Sequence, residues 1–192
     1  MPSSTYDRPA PSLRNAAGHF CTITQHKLLV MRLCWKVGLY KQALLHDLSK
    51  YAPAEFMTGA RYWQGDRSPN AVEREREGVS GAWLHHKGRN KHHYEYWIDI
   101  VGKGNHAMEG KPMPVRYVVE MFCDRVAACK VYLGENYTCR SALEYYQREN
   151  SDVPILLHPE ARALLEGMLD MLAEAGEERT FAAIKHLLVQ QR

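Results

Sequence analysis

Leu44-Leu45-His46-Asp47-Leu48-Ser49-Lys50 is the stretch on which the reading of this chain turns. An imidazole and a carboxylate stand side by side among leucines. Burying a carboxylate in apolar surroundings is costly unless it is paired or metal-bound. Working outward, His26 lies 20 residues before His46, and Asp124 lies 77 residues after Asp47. Between them run two closely spaced pairs, His85-His86 and His92-His93. Neutral imidazole and carboxylate are the ligand set of Zn, Fe, Mn or Ni. The pattern points to a metal site, and to catalysis there.

The surrounding sequence reads as helix. Ile23, His26, Val30, Leu33 and Val37 recur at spacings of three and four, which puts His26 on an inward face. Helical patterns are expected over 20–37, 39–50, 53–63, 68–86, 92–101, 115–134, 138–149, 158–176 and 178–190. Gly38 stops the first, and Pro53 suits the first turn of the third. Ser68 reads as an N-cap followed by Pro69 at N1, and Thr138 as the cap of a later helix. Residues 102–114 read as a loop with room for a flexible hairpin. No segment sustains period-two alternation, so no sheet is expected. In the long helix, Val115, Val118, Val119, Phe122, Val126 and Cys129 mark one apolar face. Tyr117, Met121, Asp124, Ala128 and Val131 mark a second, so Asp124 sits inside an apolar stripe. The expected architecture is an all-α, single-domain helical bundle of about seven to nine helices. Residues 1–18, rich in Pro, Ser, Asn and Gly, read as a flexible N-terminal arm. Residues 19–192 form the domain, with a core over 20–135 and C-terminal helices over 138–190.

Composition excludes several classes. At 192 residues the chain is long enough for one well-formed core. A net charge of +3 is too small to signal nucleic acid. No apolar run approaches the roughly 20 residues that cross a bilayer. The N-terminus lacks a basic stretch followed by an apolar one, so a cytoplasmic location is the expectation. Five cysteines without a CxxC pair do not make a disulfide framework, and Cys34, Cys123 and Cys129 read as buried thiols. Glu73-Arg74-Glu75-Arg76-Glu77 reads as a solvated helix face. Leu164, Leu165, Met168, Leu169, Met171 and Leu172, then Phe181, Ile184, Leu187 and Leu188, read as core cover, with a homodimer seam as the lesser alternative.

The order His26, then His46-Asp47, then the middle histidines, then Asp124 resembles the HD superfamily of metal-dependent phosphohydrolases, whose signature is H...HD...D on an all-α core. Met121-Phe122-Cys123-Asp124-Arg125-Val126 is similar to that family's final helix. The resemblance covers about residues 20–135. His46-Asp47-Leu48-Ser49-Lys50-Tyr51 and His85 through Trp97 also resemble a bacterial and phage family of unknown function.

The HD resemblance implies one metal held by His26, His46, Asp47 and Asp124. It implies that Asp47 bridges to a second metal held by His86 and one of His92 or His93. His92 is taken as the ligand of that pair, with the register left open. The family's two-metal members space their middle histidines more widely, so a mononuclear site is the alternative. Mn, Fe, Ni, Co or Zn would lower the pKa of bound water and polarise a phosphoryl oxygen. Lys50, His85, His93 and Glu95 are the expected catalytic groups. Lys87, Arg89 and Lys91 are the expected phosphate binders, with Arg61 and Arg67 as weaker candidates. Tyr94, Tyr96 and Trp97 either stack on a base or pack their own segment against the core. The expected function is hydrolysis of a nucleotide or other small phosphate ester. The alternatives are a di-iron oxygenase on the same fold, or a nucleotide- or partner-binding module with a structural metal.

Overall fold

Val118, Val119, Phe122, Cys123, Val126 and Ala127 repeat at helical spacing and are fully buried. They line the inward stripe of a 19-residue helix, Val115–Leu133, which is α6 in a chain of eight α-helices among the described residues. The structure is a computed structural model that describes residues 8–102, 107–152 and 155–191. α1 (Leu13–Lys36) packs Val30, Leu33 and Cys34 against α6 from one side. α8 (Pro159–Gln190) packs Leu165, Leu169 and Leu172 against it from the other. α7 (Ser141–Asp152) closes the core with Ala142, Leu143 and Tyr146. Each fully buried Leu or Phe contributes about 2–3 kcal/mol of transfer free energy, so this three-helix contact dominates stability.

The remaining helices build outward from α1. α2 (Tyr40–Leu45) follows a tight turn at Gly38, whose φ of 83° ends α1 where expected. A 3-10 turn, Leu48–Tyr51, leads into α3 (Pro53–Tyr62), which carries Pro53 in its first turn. α4 (Pro69–Glu77) and α5 (Gly81–Lys87) come next. α3 crosses α1 at two glycines. A Cβ on Gly18 would lie 2.5 Å from the Trp63 ring, and one on Gly59 would lie 2.0 Å from the His19 ring. These close approaches set how far α3 stands from α1.

The all-α, single-domain expectation holds. Several boundaries do not. α1 begins at Leu13, inside the expected arm, because the Ser12 hydroxyl accepts from Asn15 N–H and caps it. The expected helix 68–86 is two helices, broken where Gly78 is left-handed (φ 77°) and Ser80 caps α5. Pro69 sits in the first turn of α4 as expected, but the Ser68 side chain makes no cap bond. α7 runs from Ser141, three residues after Thr138, and Thr138 still caps the approach as expected, its Oγ1 accepting from Arg140 N–H while Ser141 Oγ accepts from Thr138 N–H. The last two expected helices run as one element interrupted at Gly176.

The expected helix 92–101 is overturned. Tyr94–Trp97 is a 3-10 turn, and β1 (Ile98–Val101) pairs antiparallel with β2 (Ala107–Gly110), Ile98 opposite Gly110. Ile98, Ile100 and Val101 are β-branched, and the pairing rewards that preference. The tip of this hairpin, 103–106, lies outside the described residues, as does part of the expected arm, 1–7. Gly110 lets β2 lie on the 155–158 segment, where a Cβ would meet Leu156 O at 2.4 Å.

The charge run on α4 is also not the solvated face expected. Glu73 is buried, accepting from Thr58 Oγ1 at 3.3 Å and from Ser80 Oγ at 2.5 Å. Glu77 is covered by Tyr62 and by Arg8, 2.7 Å away. Only Glu75 of the three glutamates stands in solvent, paired with Arg67. Cys34, Cys123 and Cys129 are buried thiols, as read. Among the described residues no helix is long and apolar enough to cross a membrane.

Candidate metal centre

The site begins with a break in the helix that the sequence led us to expect over 39–50. α2 ends at Leu45, and Asp47 adopts φ 52°, ψ 26°. It is the one non-glycine with positive φ among the described residues. Left-handed backbone costs on the order of 1–3 kcal/mol for such a residue, though Asp tolerates it better than most. The break corrects the expected setting of the dyad. Leu44, Leu45 and Leu48 turn outward and are about half exposed, while His46 and Asp47 turn inward and are buried.

Asp47 stands at the middle of the cluster. Its Oδ2 lies 3.3 Å from His46 Nε2 and 3.8 Å from His26 Nε2. Its Oδ1 lies 3.3 Å from both His86 Nε2 and His92 Nε2. Asp124 completes the first side, with Oδ1 2.8 Å from His26 Nε2 and 3.3 Å from His46 Nε2. His93 joins the second side. Two ligand sets result, His26–His46–Asp47–Asp124 and Asp47–His86–His92–His93, each able to hold a metal ion. Asp47 belongs to both. The register within the second pair is thus not a choice between neighbours, because His92 and His93 both reach the set.

The backs of these rings are fixed by two glutamates. Glu120, on α6, accepts from His46 Nδ1 at 3.0 Å and faces His92 Nδ1 at 3.3 Å. Glu55, on α3, accepts from His86 Nδ1 at 2.8 Å and His85 Nδ1 at 2.6 Å. Asn90 and Ser49 also surround His86 Nδ1. With Nδ1 engaged, Nε2 is the nitrogen offered inward. The Nε2 atoms of His46, His86, His92 and His93 and Asp47 Oδ1 are buried without a hydrogen-bond partner, while Asp47 Oδ2 has the Lys50 ammonium 2.6 Å away. Buried polar atoms are normally paired. Their convergence, with carboxylate-backed imidazoles behind, fits a metal centre.

The electrostatics are those of a tightly coupled cluster. Burial favours the neutral form of Asp47, but His46, Lys50 and His86 outweigh it and hold its carboxyl well below the ordinary range. Burial likewise opposes ionisation of Asp124, and its bonds to His26 and His46 win. His46 is pushed well above the ordinary imidazole value, because the surrounding carboxylates, Asp47 first and then Asp124 and the bonded Glu120, overcome burial. His93 goes the other way, lowered by burial and by His92 and His86.

The other expected site residues fall around this centre. Lys50 Nζ sits 2.6 Å from Asp47 Oδ2 with the side chain 25% exposed, so it belongs to the site. His85 lies outside both ligand sets, held on Glu55. Glu95 is partly buried, its Oε2 has no hydrogen-bond partner, and burial raises its carboxyl against the pull of Lys87 and Arg125. Lys87, the last residue of α5, is partly covered, and Arg89 and Lys91 are exposed on the segment joining α5 to the 3-10 turn. Arg89 donates to His85 O, and Lys91 lies over the Tyr96 ring. Arg67 is not at the site but on Glu75. Asp124 does not pair with its neighbour Arg125, which pairs with Glu149 at 2.5 Å. Tyr94 and Trp97 pack against the core, Trp97 facing Tyr117 with ring centres 5.9 Å apart. Glu55 and Glu120 were missed in the sequence. Glu120 lies one turn before Asp124 among Val118, Val119, Met121 and Phe122, and a carboxylate in that apolar stripe was the available signal. Glu55 looks like any acid in a first helical turn.

Fold and site together define an all-α protein with a buried His/Asp centre suited to metal ions and the Lys50 ammonium beside it. The chain belongs to a family of unknown function (DUF5662), whose profile matches residues 15–171 and so spans every group of the centre. No curated protein and no solved structure matches it.

Proposed function

We propose that this chain is a metal-dependent phosphohydrolase that holds two divalent transition-metal ions and acts on a nucleotide or other small phosphate ester. One observation carries the reading. The two oxygens of Asp47 face different ligand sets, Oδ2 toward His26 and His46, Oδ1 toward His86 and His92. That is the arrangement of a bridging carboxylate. Charge supports the count. Asp47, Glu55 and Glu120 are buried and Asp124 is 17% exposed, so four carboxylates crowd one region. Buried charge must be compensated; Lys50 supplies one positive charge, and the three that remain are more than a single divalent ion offsets.

Such ions lower the pKa of bound water and polarise a phosphoryl oxygen. The protein's own groups supply the rest. Lys50, kept charged by Asp47 despite burial, presents an ammonium at the centre for a phosphoryl oxygen. Lys87, Arg89 and Lys91 give a cationic border that draws in an anionic substrate. Glu95, with a raised carboxyl pKa, is suited to hand a proton to the leaving oxygen, and His85 on Glu55 is the second candidate.

The test is phosphate release from a panel of nucleotides and small phosphate monoesters. It uses protein loaded separately with Mn, Fe, Co, Ni or Zn, beside Asp47→Ala. Metal-dependent release, lost in the variant, is expected. Inertness of every loaded form, or full activity in Asp47→Ala, refutes the proposal. The ligand set is all imidazole and carboxylate without thiolate, which also suits iron. Two iron equivalents with O2 uptake and no phosphate release would select the oxygenase reading instead.

A further inference from the structure

Glu120 is not among the Nε2 ligand sets, yet it touches both. Its Oε1 lies 3.0 Å from Nδ1 of His46, a member of the first set. The same oxygen lies 3.3 Å from Nδ1 of His92, a member of the second. The two rings stand with centres 4.4 Å apart. Glu55, by contrast, touches one ligand only, His86, and its other contacts, His85 and Ser49, lie outside both sets. We propose that Glu120 is a positioning residue shared by both metal ions, one carboxylate oxygen orienting a ligand of each, whereas Glu55 orients a ligand of the second ion alone. This rests on the two-ion reading above.

Three features make one residue able to do this. Glu120 is buried, so its charge is poorly screened, and its Oε1 sits between His46 Nδ1 and His92 Nδ1. It lies four residues before Asp124, so both project from neighbouring positions on one helical face. One helix thereby presents a ligand to the first ion and the backing carboxylate for a ligand of each ion. An accepting carboxylate holds the proton on Nδ1 and leaves the Nε2 lone pair for the metal. An amide in its place keeps one accepting oxygen but carries no charge, so it holds both Nδ1 protons more weakly. Loss of such a backing carboxylate typically weakens metal binding by about 10–100-fold.

The same three groups, Glu120, His46 and His92, could instead hold an ion of their own. That would use the Nδ1 atoms and leave each buried Nε2 with only carboxylate oxygens 3.3 Å away, none placed as a hydrogen bond. The shared-orientation reading pairs every nitrogen and is preferred for that reason.

The experiment is calorimetric titration of the full chain, stripped by chelation, with Zn2+, for wild type, Glu120→Gln and Glu55→Gln. Wild type is expected to take two equivalents. Glu120→Gln should weaken both binding steps by about 10–100-fold, and Glu55→Gln only one. Fifteen-nitrogen shifts of the histidines in Zn-loaded wild type give a readout that needs no variant. His46 and His92 are expected with the proton on Nδ1 and the metal on Nε2. Two equivalents with one or neither step weakened in Glu120→Gln overturns the inference while the two-ion reading stands. So does the opposite tautomer at either histidine, or a third equivalent lost in Glu120→Gln. A single equivalent in wild type overturns it and leaves a mononuclear centre. No uptake at all overturns the metal reading itself.

Discussion

Gly59→Ala sets helix propensity against packing, and the structure decides the sign. Gly59 lies inside α3, where alanine is intrinsically better than glycine by about 1 kcal/mol. A Cβ there would stand 2.0 Å from His19 Cδ2 and 2.2 Å from its Cγ and Nε2. Non-bonded carbons pack at about 3.5–4.0 Å, so ring and helix must part by roughly 1.5 Å. His19 cannot swing clear easily. Its Cγ is one bond from its own Cβ, the ring is buried, and Phe56 stands on it with ring centres 5.4 Å apart. Overpacking of this kind costs about 1–3 kcal/mol or more and outweighs the propensity gain. A net loss of about 1–2 kcal/mol lowers Tm by roughly 2–8 °C in a domain of this size. The damage should also reach the metal centre, because α1 carries His26 and α3 carries Glu55 one turn before Gly59. Urea unfolding of wild type, Gly59→Ala, His19→Ala and the double variant measures it. Removing the ring should relieve the clash, leaving a coupling of about 1 kcal/mol or more between the two changes. Gly59→Ala as stable as wild type, or strictly additive effects, would refute the reasoning.

Other outcomes come from the same geometry. Asp47→Asn should abolish the rise in Tm that saturating Zn2+ or Mn2+ gives the wild type. An ion at 100 times its Kd stabilises by about 2.7 kcal/mol, readable by differential scanning calorimetry. His19 titrates near 4 because burial, and then Lys50, disfavour its charged form. An unfolded histidine titrates near 6.5. The unfolded chain therefore binds the proton first, and stability falls as pH drops from about 6.5 to 4. That group accounts for about 3 kcal/mol of the loss. The pH dependence of urea midpoints should be shallower in His19→Leu by about that amount, and an unchanged slope would refute the assignment. Phe122→Ala empties the centre of α6 and should cost about 3–5 kcal/mol by the same unfolding assay.

Much of the fold was legible because its determinants are local. Apolar spacing of three and four marked α1, α3, α6 and α8 to within a few residues at most ends, and Gly38 and Pro53 marked real boundaries. The failures lie where a distant partner overrode local preference. Trp97-Ile98-Asp99-Ile100-Val101 reads equally as helix or strand until β2 supplies a hydrogen-bonding neighbour. Glu73 and Glu77 sit in an alternating charge run that looks solvated, yet Thr58, Ser80, Tyr62 and Arg8 arrive from elsewhere to satisfy them. The residues of the site were legible as well. His26 and Asp124 showed by their placement on apolar faces, and His46, Asp47, His86 and His92 by the chemistry of closely spaced imidazole and carboxylate groups.

The sequence by itself determined the helical class and the identity of the groups that must meet, because periodicity and side-chain chemistry are properties of the local chain. Only the tertiary structure decided how they meet. The left-handed turn at Asp47 places one carboxylate oxygen on each side. His93 joins His92 in one set. Glu120 takes up His46 Nδ1 from 74 residues away in sequence, and Glu55 takes up His86 Nδ1 from 31 residues away. Those contacts depend on where α3 and α6 cross α1, and crossings are fixed by close packing at positions such as Gly59 and Phe122 rather than by any local signal.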